Sequence, residues 1–171
     1  WQLQLKKQAE QYTGQMDPLL LDELTPLTGM FLPVESAASE ALRTLMPQGR
    51  LSELRFSRDE AQDSWLFSGQ LQQLQWQRWR MIPGLHDVDA SFRLSPQGVA
   101  LTLQQLKPQT WDLQPYFEKP WPVQTFSADL NWQKLRNGWA LTADQVQLKT
   151  DVVTTATQFR LSQEGTQPLF L

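Results

Sequence analysis

The sequence predicts a mainly β protein of the α+β class, in which a short helical pair is followed by a long, curved antiparallel β meander forming an open groove. Three observations carry that expectation. A phrase is written twice: "VDASFRLSPQGVALT" at residues 88–102 returns as "FSADLNWQKLRNGWALT" at residues 126–142. The hydrophobic period changes from about 3.6 to about 2 after Gly49. The links between candidate strands are short and carry Pro, Gly or Asn, as in "SPQG" and "LRNG", which is hairpin chemistry.

Taken in chain order, "WQLQLKK" at residues 1–7 alternates as the end of a strand does. In "DPLLLDELTPLTG", Asp17 suits an N-cap, Pro18 the first helical position and Gly29 the residue past a helix end. A second helix is expected from about Val34 to Met46, with Ala38, Ala41, Leu42 and Leu45 on one face, so residues 17–46 form the helical pair. Residues 50–171 then hold the antiparallel groove repeats: "RLSELRFS", "SWLFSGQLQQLQW", "DVDASFRLS", "GVALTLQQL", "TWDLQPYF", "TFSADLNWQ", "GWALTADQVQLK" and "VTTATQFRLS".

The repeated phrase explains the meander. Ala90 and Ala128 lie 38 residues apart, and Gly98 and Gly138 lie 40 apart, a separation typical of a recurring supersecondary unit. Each copy reads as a hairpin whose second strand is entered through Gly. Successive side chains on a strand point to opposite faces, so Phe92 and Leu94 share a face, as do Val99, Leu101 and Leu103. The later copy offers Leu130 and Trp132, then Trp139 and Leu141. These nine residues are the candidate groove lining. The phrase echoes in "FSGQL" and in "ATQFRL". About eight strands at ~4.8 Å spacing and ~30 Å length present an apolar face on the order of 1,100 Å². Two helices ~18 Å long and ~10 Å across cover roughly a third of it.

Composition narrows the function. The formal charge is -3 with a pI near 5.1, and the basic residues are scattered, which argues against phosphate neutralisation and so against nucleic acid. With no cysteine there is no thiol catalysis, disulfide or Cys-type zinc site. No apolar run approaches the roughly 18 residues of a membrane helix. Trp1 at the start and "TQPLFL" at the end suggest a fragment of a longer protein. Eight tryptophans suit large amphipathic side chains on a half-buried β surface, with Trp132 and Trp139 as core or groove lining.

Catalytic chemistry is not expected. His86 is the single histidine; on a regular strand Asp87 and Asp89 face away from it, which makes it a loop-edge histidine rather than a ligand. Asp144, Asp151 and Glu164 stand singly among polar residues and read as solvated surface. There is no G-x-S-x-G elbow, phosphate-binding glycine loop or H-E-x-x-H. The expectation is therefore no enzyme, no metal and no cofactor.

The order of "LMPQGRLSELRFS", "FSGQLQQLQWQRWRMIPGLHDVDASF", "YFEKPWPVQTFSADLNW" and "GWALTADQVQLK" resembles the YhdP-type proteins of the AsmA-like superfamily, and the similarity runs from about Trp1 to the end. The resemblance implies a periplasmic segment, tethered to the inner membrane of a Gram-negative bacterium by a part of the parent chain outside this one. Its implied partners are phospholipid acyl chains carried along an apolar groove toward the outer membrane. It supplies no catalytic residues. Where the family is expected to place Gly before the inward residue, this chain has Ala90, Ala128 and Ala156. Physical chemistry agrees independently: an acyl chain in water costs roughly 0.8 kcal/mol per exposed CH₂, so a conduit needs a continuous apolar strip. Two other readings stay open, a closed β-sandwich that binds protein or carbohydrate and a structural spacer. A sandwich buries its apolar faces, whereas a groove leaves a strip of them accessible.

Overall fold

The computed structural model describes residues 3–8, 10–24, 43–78, 84–111 and 118–164. Long runs of alternating side chains separated mostly by short turns leave the backbone one economical solution, and these residues form a single open sheet. The strands are β1 (Leu3–Gln8), β2 (Gln11–Met16), β3 (Leu19–Leu20), β4 (Gln48–Asp59), β5 (Ser64–Trp76), β6 (Leu85–Ser95), β7 (Gly98–Gln105), β8 (Gln109–Trp111), β9 (Trp121–Leu135), β10 (Gly138–Thr150) and β11 (Thr154–Glu164). A four-residue helix, α1 (Leu21–Leu24), follows β3. The path across the sheet is β1-β2-β4-β5-β6-β7-β9-β10-β11, with β3 on β4 and β8 on β9, and every pairing is antiparallel.

Several expectations are corrected. The helix start at Asp17 and Pro18 is displaced, because Leu19 and Leu20 pair with Leu51 and Arg50 as strand and helical geometry begins only at Leu21. The remainder of the expected helical pair at 25–42 lies outside the described residues, as do 112–117 of the "TWDLQPYF" strand. "QYTGQM" was not expected as a strand, yet it is β2, joining β1 to β4. Ala156 lies on the polar face. It pairs with Gln147, which pairs with Ser127 on the polar face, while Phe159 and Leu161 lie opposite Ala143 and Leu141. A three-residue spacing on an unbulged strand puts Ala156 and Phe159 on opposite faces.

The sheet bends through bulges with a common signature. Glu53, Gln73, Asp87 and Gln145 have φ of 51°, 52°, 53° and 52°, the left-handed region, and each sits where one strand carries an extra residue. Each is third in a four-residue run whose ends are apolar: Leu51–Leu54, Leu71–Leu74, Leu85–Val88 and Ala143–Val146. The extra residue lets side chains three apart return to the same face, and it bends and twists the strand. Val123 and Phe126 repeat the spacing beside another register shift in β9. Bulges therefore cross β4, β5, β6, β9 and β10 as a band, and that band curves the sheet without dividing its apolar face. The extra Asp87 also overturns the strict alternation expected around His86.

Candidate functional site

Strand register sorts the apolar face into rows that run across the strands. Leu5, Gly14, Phe56, Phe67, Leu94, Val99, Trp132, Leu141 and Leu161 stand opposite one another in turn from β1 to β11. The next row passes through Gly69, Phe92, Leu101, Leu130, Ala143 and Phe159. A third passes through Leu19, Leu51, Leu71, Ala90, Leu103 and Ala128. All nine sequence-predicted lining residues fall on this one face, and the two copies of the repeated phrase are neighbours in it because β7 pairs with β9.

The rows differ in cover. In the third, Leu103 keeps 7% exposure and Ala90 6%, and they join Leu74, Leu85, Val88, Trp111 and Val123 in one packed cluster. Leu19, Leu51 and Leu54 form a second cluster beside it, with Leu21 of α1 packed against both. In the first row no residue is buried; Leu5 is 63% exposed and Trp132 38%. The face is thus packed along one margin, where Leu19, Leu21 and Trp111 join the clusters, and open along the other, where the β1–β2, β4–β5, β6–β7 and β9–β10 hairpins turn.

A buried polar contact locks the seal. Gln105, fully buried, accepts from Trp111 Nε1 at 2.9 Å and donates from Nε2 to the carbonyls of Lys107 at 3.0 Å and Val123 at 3.5 Å. Each amide group thereby keeps a partner away from water, as burial demands. Trp111 then meets Phe126 edge to face at 5.0 Å. The sequence marked neither residue, because a lone Gln among "LQQL" looks like surface. The one available signal was parity, since Gln105 continues the inward alternation of Leu101 and Leu103.

Two glycines permit close approach. A Cβ on Gly98 would lie 2.0 Å from the Trp132 carbonyl oxygen, where β7 starts against β9. A Cβ on Gly69 would lie 2.6 Å from Leu54 Cδ2 and 3.0 Å from Phe92 Cζ, so the Phe92 ring rests on bare backbone, 5.6 Å from the Phe67 ring.

The residues weighed for catalysis are not assembled. His86 exchanges backbone hydrogen bonds with the Gln109 amide. Asp87 pairs with Lys107 Nζ at 2.6 Å, and that hydrogen bond and charge hold the ammonium above its usual pKa. Asp89 accepts from the N–H of Gln73, satisfying the bulge at 3.0 Å. Asp151 accepts from Gln124 Nε2 at 2.7 Å, and Asp144 is exposed. Among the described residues no group of three or more His, Asp or Glu is placed to hold a metal ion. No described helix is long and apolar enough to cross a membrane.

An open antiparallel sheet with one apolar face, built from repeated hairpins, is the arrangement that the resemblance implied. Over residues 1–170 the chain matches the family model described as YhdP protein. It belongs to the YhdP family. No curated protein and no solved structure matches it. Within this YhdP sequence the strip is assembled from side chains of every strand on the path from β1 to β11, so no short motif identifies it.

Proposed function

We propose that this chain is a segment of a periplasmic apolar groove that carries phospholipids between the inner and outer membranes. The observation that carries the reading is the unburied apolar row from Leu5 to Leu161. Nine strands at ~4.8 Å spacing make it ~38 Å long, more than twice the ~15 Å thickness of one leaflet's hydrocarbon, so an acyl chain fits within it with room to advance. A strip without breaks lets a chain slide while it exposes no extra CH₂ to water. The open margin favours this over a closed sandwich, whose second sheet would cover Trp132 and Leu5. Membrane contact belongs to other parts of the parent protein.

The test is a photo-crosslinking amino acid placed at each position from 99 to 104 and at residues 139–142 of the full-length protein. Phospholipid adducts are expected at Val99, Leu101, Trp139 and Leu141, weakly at the sealed Leu103, and little at Ala100, Thr102, Gln104, Ala140 and Thr142. Equal capture on both faces would mean non-specific coating and end the conduit reading.

A further inference from the structure

Outside the open apolar row, two residues nearer the hairpin tips, the same face carries a row of another character. Lys7, Tyr12, Arg58 and Trp65 stand opposite one another across β1, β2, β4 and β5, and Lys134, Trp139 and Gln163 do so across β9, β10 and β11. Trp and Tyr prefer a boundary that is apolar on one side and wet on the other, and here they alternate with cations at such a boundary. Lys7 Nζ lies 4.7 Å from the Tyr12 ring centroid, and Trp139 Nε1 donates to Gln163 Oε1 at 3.1 Å. Among the described residues Arg58 pairs with Asp63 at 3.8 Å, with side chains 51% and 96% exposed, a pair weak enough to exchange for another anion. Lys134 forms no ion pair among the described residues.

A third layer lies beyond this one over β1 to β5. The turn after β1 carries Glu10 and the turn after β4 carries Glu60, both exposed, and the Glu60 N–H bonds the Glu10 carbonyl at 3.0 Å, which holds the two tips side by side. From strip to tip the order is apolar, cationic, anionic.

This inference rests on the strip being an acyl-chain path. The packed margin is filled by Leu19, Leu51, Leu85, Leu103 and Trp111, and its buried amide, Gln105, already has its hydrogen-bond partners, so a headgroup gains nothing there. A lipid on the strip must therefore put its polar end at the hairpin margin. We propose that the Lys7–Tyr12–Arg58–Trp65 row, continued by Lys134 and Trp139, is a headgroup ledge, and that its ligand is a zwitterionic phospholipid. The phosphate sits against Lys7 and Arg58 and the terminal ammonium reaches Glu10 and Glu60. Arg58 offers a planar fork to phosphate oxygens and Lys7 a point charge. An anionic headgroup satisfies the cationic layer but meets repulsion at the tips, which sets the preference.

The test uses the full-length protein and two diazirine phospholipid probes with the same aminoethyl headgroup, one reactive in the acyl chain and one in the headgroup, with adducts mapped by mass spectrometry. Acyl-probe adducts are expected at Val99, Trp132 and Leu141 and headgroup-probe adducts at Tyr12, Trp65 and Trp139. The double variant Lys7→Gln/Arg58→Gln should lower headgroup labelling at Tyr12 and Trp65 by about fivefold or more while acyl labelling at Leu141 persists. In Glu10→Lys/Glu60→Lys, competition by unlabelled lipid should shift from the zwitterionic to a glycerol-headgroup anionic form. Headgroup labelling spread over both margins, with acyl labelling intact, would overturn the ledge alone. Loss of acyl labelling on the strip in the unmodified protein would overturn the groove reading beneath it. Equal competition by both lipids in every variant would overturn the zwitterionic assignment.

Discussion

Val99 and Trp132 stand directly opposite each other where β7 meets β9, so the second strand of the first repeat copy is bonded to the first strand of the next. That pairing makes the repeat a way of extending a surface. Each copy adds two strands, and because parity is conserved between copies, each adds its apolar side chains to the same rows. Length is gained without a new core, which suits a chain whose apolar face is half sealed and half open.

The seal predicts a gradient of tolerance across the strip. Glu at Leu103 must bury a carboxylate among Leu85, Val88 and Val123 and should cost at least about 3 kcal/mol. Glu at Val99, in the unburied row, finds water and should cost less than about 1 kcal/mol, with Leu101→Glu between them. Denaturant unfolding of the three variants checks the order, and equal costs would mean the face is uniformly covered.

The Gln105 contact predicts a second effect. Gln105→Ala leaves the buried Trp111 indole N–H without its acceptor, a loss of about 1–3 kcal/mol. Trp111→Phe keeps the edge contact with Phe126 and removes the donor, so it should cost less. Tryptophan fluorescence should move to the red in Gln105→Ala as β8 loosens from β9, and an unshifted spectrum would show that the seal does not depend on this residue.

Most of the meander was legible because alternation is a local signal. β5 runs from Ser64 to Trp76 as "SWLFSGQLQQLQW" suggested, and the nine lining residues share the face that parity assigned. β2 was missed because its inward positions are Tyr12, Gly14 and Met16, with little branched apolar character to mark a strand. The bulges were written plainly as apolar residues three apart, but that spacing is also a helical signature, and only pairing partners tell the two apart. The packing of Leu19 and Trp111 into buried clusters was invisible because it depends on contacts between distant segments.

The left-handed residues predict an asymmetric response to substitution. At Gln145 a β-branched side chain is strained at φ 52°, so Gln145→Val should cost about 2 kcal/mol. Gln145→Gly relieves the backbone but adds freedom to the unfolded chain, and should be close to neutral. Thermal unfolding of the pair separates backbone strain from loss of the amide side chain, since both variants remove the amide. Similar losses would show that the side chain, rather than the backbone, matters there.

Deleting a bulge residue separates curvature from stability. Ala143 and Val146 are three apart because Gln145 is extra; without it they become two apart, which on a regular strand still places both on the apolar face. Deletion of Gln145 therefore keeps the parity of Trp139, Leu141, Val146 and Leu148 and restores one-to-one pairing with β9 and β11 at this point of the strand. What is lost is the bend. The deletion variant should keep its β circular dichroism and unfold within a few degrees of the parent, since relief of about 1 kcal/mol of backbone strain offsets the repacking. On the proposed groove, which needs a curved strip, crosslinking to phospholipid at Trp139 and Leu141 should nevertheless fall. If capture persists undiminished in a folded deletion variant, the bulge band has no part in holding the ligand and the flat apolar face is sufficient. Unfolding of the variant would instead identify Gln145 as essential to the packing of Ala143 under Phe159 and Leu130, a role that the Gln145→Gly variant would leave untouched.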